Sequence, residues 1–179
     1  MNGSTHPAAA TPRAEDLHRP DGPTTRLGWQ TLPFDRLSPS LLYGMLRLRS
    51  AVFVVEQRCI YQDIDDVDRG AWFVLGSDPG GESSMVLASA RVLGPGVRFR
   101  EPSVGRVCTD PGLRGTGQGR ELMRRAIALA GERFPGQSLR ISAQAHLDRF
   151  YGDLGFRVDS EPYDEDGIPH IEMQRPARG

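Results

Sequence analysis

Cysteine is scarce in this chain: two in 179 residues, Cys59 and Cys108, far apart and in no C-x-x-C spacing. The expectation is two buried thiols in a reducing cytoplasm, with a disulfide left open. No apolar run reaches the length needed to cross a bilayer, and the N-terminus lacks the apolar core of a secretion signal. A cytoplasmic protein with no membrane partner is therefore expected. Charge of one sign is also missing. Twenty-two basic against 23 acidic residues leave a net charge of −1, which gives no global reason to expect nucleic acid as a partner. The acidic run Asp63, Asp65, Asp66, Asp68 does not make a calcium loop, because position five is Val67 and no glycine stands at six. No metal is expected. There is no internal repeat at a fixed period.

What remains is the composition of one globular domain, long enough for a sizeable core. Its organising stretch is Val104 to Phe134, VGRVCTDPGLRGTGQGRELMRRAIALAGERF. Val104, Val107 and Thr109 read as a strand. Asp110, Pro111 and Gly112 break it. A glycine-rich turn, Arg114 to Arg120, follows. Leu122, Met123, Ala126, Ile127, Leu129, Ala130 and Phe134 then fall on one side of a helix. A helix start of this kind suits an anion: its first amides lack helical partners, the dipole adds positive charge, and glycines let oxygen atoms approach. A nucleoside-triphosphate loop needs Gly-Lys-Ser/Thr, but Gly119 is followed by Arg120. The dinucleotide pattern G-x-G-x-x-G fails as well, since its last glycine falls on Arg120 or Leu122.

Residues 1–27 carry hardly any large apolar side chain and are expected to form a flexible tail, with a single domain over 28–179. Trp29, Leu32 and Phe34 predict a first strand. Ser38 and Pro39 predict a capped helix start, and helical spacing runs to about Phe53. Val54 to Gln57 is expected to leave that helix. Strands follow over 71–77 and 85–94, joined by a turn at 78–81. Further strands are expected at 138–143, 156–158 and 168–174, a short helix at 146–154, and an acidic loop at 162–166.

Two motifs in order identify a family likeness. Arg114-x-x-Gly117-x-Gly119, led in by Val107, Pro111 and Arg114, resembles the pyrophosphate loop of the GNAT superfamily of acyl-CoA N-acyltransferases. Phe150-Tyr151-Gly152-Asp153-Leu154-Gly155-Phe156 resembles the FY-x-x-x-GF motif of the same superfamily. RSAVFVVEQ (Arg49 to Gln57), Tyr61-Gln62-Asp63, Ala143-Gln144-Ala145-His146 and Asp166-Gly167-Ile168-Pro169-His170 resemble its ElaA-like branch. The likeness covers roughly Trp29 to Arg175. It implies an α/β (α+β) GNAT fold: a mixed, mostly antiparallel twisted sheet, splayed between strands 4 and 5, with helices on both faces and acyl-CoA in the gap.

The resemblance also implies roles. Backbone groups at Val107, Cys108 and Thr109 would hold the pantetheine arm. The loop of Arg114, Gly115, Thr116, Gly117, Gln118, Gly119 and Arg120 would hold the pyrophosphate, with Arg124 or Arg125 as candidates for an outer phosphate. Gln144 stands where relatives often carry Asn, at the pantetheine. Tyr151 would protonate the leaving thiolate. Relatives often place a carboxylate base on the fourth strand, but Ser103 to Thr109 has none. Glu56, among Phe53, Val54 and Val55, is the first choice as base, with pairing to Arg49 or to a backbone amide as its structural alternative. His146 and His170 are the other bases by chemistry, and both are candidates to line the acceptor pocket. The acidic groups at 63–68 and 161–166 read either as solvated loops or as walls that concentrate a cationic amine. The implied activity is transfer of an acetyl group from acetyl-CoA to a primary amine of a small molecule or peptide. Two alternatives stay open: an idle acyl-CoA-binding or sensing module, and an acyl-homoserine-lactone synthase suggested by R-x-x-VFV-x-EQ. The complete pyrophosphate loop favours free acyl-CoA over a carrier-protein donor. A homodimer through sheet edges is left open.

Overall fold

Alternating apolar strands and two amphipathic helices set the architecture. The structure is a computed structural model, and it describes residues 26–79 and 85–177. Along the chain run β1 (Gly28–Pro33), α1 (Pro39–Arg49), β2 (Trp72–Ser77), β3 (Val86–Leu93), β4 (Ser103–Thr109), α2 (Gln118–Arg133), β5 (Leu139–Gln144), α3 (Asp148–Gly152), β6 (Arg157–Val158), β7 (Tyr163–Glu165) and β8 (Ile168–Arg175). They build one mixed sheet in the order β1-β2-β3-β4-β5-β8-β6, with β7 also paired to β8. Every pairing is antiparallel except β4–β5.

That exception makes the gap. β4 and β5 are parallel and meet at one register pair, Ser103 with Arg140. Arg140 N donates to Pro102 O at 3.0 Å. Past Ser103 the two strands diverge. A second irregularity lies on β4's other side. Ser89 pairs Cys108 and Arg91 pairs Gly105, so β3 advances two residues while β4 advances three. The extra residue is a β-bulge, and Arg106 takes the left-handed conformation there (φ 50°). A bulge bends its strand, which turns the end of β4 away from β5.

Two cores flank the sheet. Val74, Ala88 and Ala90 pack with Leu122, Met123 and Ala126 of α2. Phe73 and Leu75, one step along β2, pack with Met45 and Leu48 of α1 on the other face. The period-2 alternation of β2 thus addresses one helix on each side, as expected for helices on both faces.

Ser38 caps α1 by accepting from Leu41 N at 3.2 Å, with Pro39 first in the helix. Three expectations are corrected. The helix does not end near Phe53: it widens into a π-helical segment, Ser50–Glu56, so Val54 to Glu56 continue it. Residues 162–166 are not a loop. They hold β7, which pairs with β8 through a tight hairpin whose tip residues Asp166 and Gly167 have φ of 56° and 80°. Leu27, assigned to the tail, is buried in the core. The rest of that tail up to residue 25, and residues 80–81 of the expected turn, lie outside the described residues.

Candidate active site

The turn before α2 is built by short-range chemistry. Asp110 accepts from Gly112 N at 2.9 Å, and Thr116 Oγ1 donates to Leu113 O at 2.6 Å. Gly115 and Gly117 have φ of 77° and 85°, a region that costs a side-chain-bearing residue strain. The first helical bond is Glu121 N to Gly117 O at 3.1 Å, so the amides of Gly119 and Arg120 precede it. No Cβ-blocking atom stands within 4 Å of Gly115 or Gly117, so the turn is open on its outer side.

Between the diverging strands lies a cavity of about 320 Å³. Val107 of β4, Gln144 of β5, Tyr151 of α3 and His170 of β8 all line it. Cys108 does not: it packs on the α1 side, and burial pushes its thiol up to about 12, which keeps it neutral. Both cysteines are buried and free. Tyr151 is 7 % exposed. Its ring meets Phe150 and Phe156 edge-on, with centroids 5.0 and 6.0 Å away. Desolvation by burial pushes its hydroxyl up to about 12. No hydrogen bond to that hydroxyl is found among the described residues. A protonated hydroxyl in the cavity wall, with no protein partner among the described residues, is a free donor.

Glu56 does not sit in the apolar surrounding expected of a base. Its carboxylate holds Arg114 at both ends, Nη1–Oε1 at 2.7 Å and Nη2–Oε2 at 2.8 Å. It is partly exposed and does not line the cavity. Nor does it reach Arg49, whose partners are Asp63 and Asp68. The π-helical continuation of α1 explains the placement, because it carries Glu56 to the turn before α2. An anion bound at that turn must therefore compete with Glu56 for Arg114. Glu56→Gln is expected to tighten coenzyme A binding about two- to fivefold, the scale of an exposed ion pair, measured by calorimetry at low salt. Weaker binding would show that Glu56 orients Arg114 productively.

The other loop cation is also paired. Arg120 holds Asp153 at 2.9 Å and lies over the Phe150 ring. Arg125 is turned to Glu121 at 2.8 Å and to the Trp29 ring. Gln144 Nε2 donates to Gln57 Oε1 at 3.4 Å, a contact across the gap between β5 and the end of the π-helical segment. His146, in a short turn after β5, does not line the cavity.

The acidic stretch at 63–68 is not a solvated wall. Arg49, fully buried, donates to Asp63 Oδ2 (2.9 Å), Asp68 Oδ2 (2.8 Å) and Asp63 O (2.7 Å). Arg91, 3 % exposed, donates to Asp65 Oδ1 (2.7 Å) and Asp68 Oδ1 (2.8 Å). Arg106 Nε lies 2.8 Å from Asp63 Oδ1, near in distance but off-line for a hydrogen bond. Three arginines thus neutralise Asp63, Asp65 and Asp68. Burial raises the Asp65 carboxyl, but the hydrogen bond from Arg91 and the charges of Arg91, Arg106 and Arg49 outweigh it and leave it below its ordinary value. This network fixes the loop that carries Cys59 and Tyr61 into the cavity wall. Arg91 and Arg106 were not foreseeable as its partners from residues near them in the chain. The only available signal was arginine inside two strands otherwise rich in apolar residues.

The sheet is splayed beside a glycine-rich helix start, and a buried tyrosine lies in the cleft between the strands. The comparisons agree. Residues 80–176 match the family described as acetyltransferase (GNAT) domain. The chain is 41 % identical to the protein ElaA of Escherichia coli over 149 residues, 82 % of this chain and 95 % of that one. It is 40 % identical to a UPF0039 protein of Synechocystis over 147 residues, 82 % and 94 % of the two chains. The crystal structure of an acyl-CoA N-acyltransferase from Pseudomonas aeruginosa is similar at a TM-score of 0.78 and 38 % identity, covering 84 % of this chain and 99 % of that one. The chain belongs to the GNAT acetyltransferase family.

Proposed function

We propose that the protein transfers an acyl group, acetyl in the first instance, from acyl-CoA to a primary amine by direct attack. One observation supports this reading: β4 loses its β5 partner after Ser103, and its open edge leads straight to the glycine turn, where the amides of Gly119 and Arg120 precede the first helical bond. A pantetheine arm pairs with such an edge as an added strand would, while the pyrophosphate meets Gly115, Gly117, Gly119 and Arg120. Backbone groups of Val107, Cys108 and Thr109 supply the edge, and Gln144 faces it from β5. Thr116 shapes the loop through its bond to Leu113 O, and Gln118 opens the helix. Arg114 leaves Glu56 for the phosphate. Tyr151 gives its proton to the thiolate as the C–S bond breaks.

The test has two stages. Calorimetry with coenzyme A should register binding, and no heat would sink the reading. Thiol release from acetyl-CoA over a panel of small amines and amine-bearing peptides should then find an acceptor. All 22 basic residues of this chain are arginine, so no lysine side chain of its own competes as acceptor. Binding without thiol release for any amine would favour the idle binding module.

A further inference from the structure

The titratable groups in the cavity wall differ in what they are able to do with a proton. Tyr61 donates to Asp63 Oδ1 at 3.3 Å, and burial pushes it up to about 12, so it stays protonated. Burial, with the Asp166 charge, raises the Cys59 thiol. Arg91 and Arg106 are held by aspartates. Glu165 is occupied twice, by Arg98 at 2.7 Å and by Ser142 Oγ at 2.8 Å. Tyr151 keeps its proton as the acid. The groups left that are able to accept one are His170 and Asp166, and both line the cavity.

His170 is held in one tautomer. Its Nδ1 lies 2.8 Å from the carbonyl oxygen of Ile168. A carbonyl only accepts, so Nδ1 carries the hydrogen. In the neutral ring the lone pair is then on Nε2. No protein partner of Nε2 is found among the described residues. The ring is tilted against Tyr163, centroids 6.2 Å apart. On the neighbouring strand its register partner is Gln144. Asp166 stands at the tip of the β7–β8 hairpin, exposed and in the left-handed conformation, with no ion pair or hydrogen bond among the described residues. The hairpin thus presents a lone pair and a bare carboxylate to one cavity.

We propose that His170 Nε2 is the general base and that Asp166 anchors the acceptor as its ammonium form. The proposal rests on the acyltransferase reading. An amine at neutral pH arrives protonated, and Asp166 attracts it. His170 Nε2 takes one proton from the ammonium and becomes imidazolium. The freed nitrogen lone pair forms the C–N bond to the thioester carbonyl, and the C–S bond breaks. Tyr151 gives its proton to the thiolate. The proton left on the new amide nitrogen returns to Tyr151 through solvent, and the imidazolium releases its own to water. One ammonium and one thioester become one amide, one thiol and one proton. The groups facing His170 are Tyr163, Glu165 and Asp166 from the hairpin, and Gln144 with Ser142 from β5.

Two measurements test it. In His170→Asn the amide can keep the bond to Ile168 O while Nε2 is lost. With the amine that the unaltered protein accepts, kcat should fall on the order of 10²- to 10³-fold, with coenzyme A affinity unchanged within about twofold. Added imidazole should restore part of the rate. Asp166→Asn should raise KM for a cationic amine with little change in kcat. Separately, ¹⁵N spectra of the unaltered protein should show the neutral His170 ring with Nδ1 protonated and Nε2 bare. Unchanged kcat in His170→Asn, or a protonated Nε2 in the neutral ring, would overturn the assignment while leaving the acyltransferase reading standing. Absence of thiol release by the unaltered protein would remove that reading, and this proposal with it.

Discussion

Tyr151→Phe is expected to lower turnover on the order of 10²- to 10³-fold while leaving coenzyme A affinity within about twofold. The ring stays, with its edge contacts to Phe150 and Phe156. The lost hydroxyl has no protein partner among the described residues, so no buried group is orphaned and stability should change by less than about 1 kcal/mol. The pH dependence has a definite sign. Burial pushes the hydroxyl up to about 12, so its proton is present throughout the neutral and mildly alkaline range. The rate should therefore show no alkaline fall due to Tyr151 below about pH 10. Steady-state kinetics and calorimetry on the same preparation check both parts. Equal turnover in the variant would remove Tyr151 as the acid.

Asp68→Ala is expected to destabilise the fold by about 3–5 kcal/mol, because it leaves two buried guanidinium groups short of a partner. Asp68 meets Arg49 at 2.8 Å and Arg91 at 2.8 Å, and both arginines are almost wholly buried. For a chain of this length the loss should appear as a Tm lowered by roughly 6–20 °C. Asp66→Asn is the control. Among the described residues the Asp66 carboxylate pairs with Arg69 alone, at the surface and 90 % exposed, and asparagine tolerates the left-handed backbone there (φ 56°), so the change should be nearly silent. Acid should act on the same network through Asp65. Its folded value lies below the ordinary 3.8, so its contribution is complete above that pH and disappears as pH falls through the lower folded value. A Tm unchanged in Asp68→Ala would mean that water replaces the carboxylate and that the network does not pin the loop.

Much of the fold was legible before any coordinates. The β2 alternation, the Ser38–Pro39 helix start and the break at Asp110 to Gly112 are local signals, each written in a few neighbouring residues. The glycine turn was equally legible, since Gly115 and Gly117 adopt the conformations that make glycine necessary. Both families of signal arise from backbone sterics and period, which act over one or two turns. Less legible was the continuation of α1. Val54 and Val55 are β-branched, which lowers helix propensity, yet a π-helical segment carries them on to Glu56. The hairpin strand β7 was hidden because Tyr163 to Glu165 is short, acidic and mostly exposed.

The sequence by itself determined the helix starts, the strand faces, the glycine turn before α2 and the family. Each follows from groups close together along the chain. Tertiary structure decided the partners. Glu56 meets Arg114 across 58 residues, and Arg91 meets Asp65 across 26. It also decided that Glu56 leaves the cavity while His170 enters it. Charges find partners by proximity in space, and that proximity is set by sheet order, by the β4 bulge and by the divergence of β4 from β5.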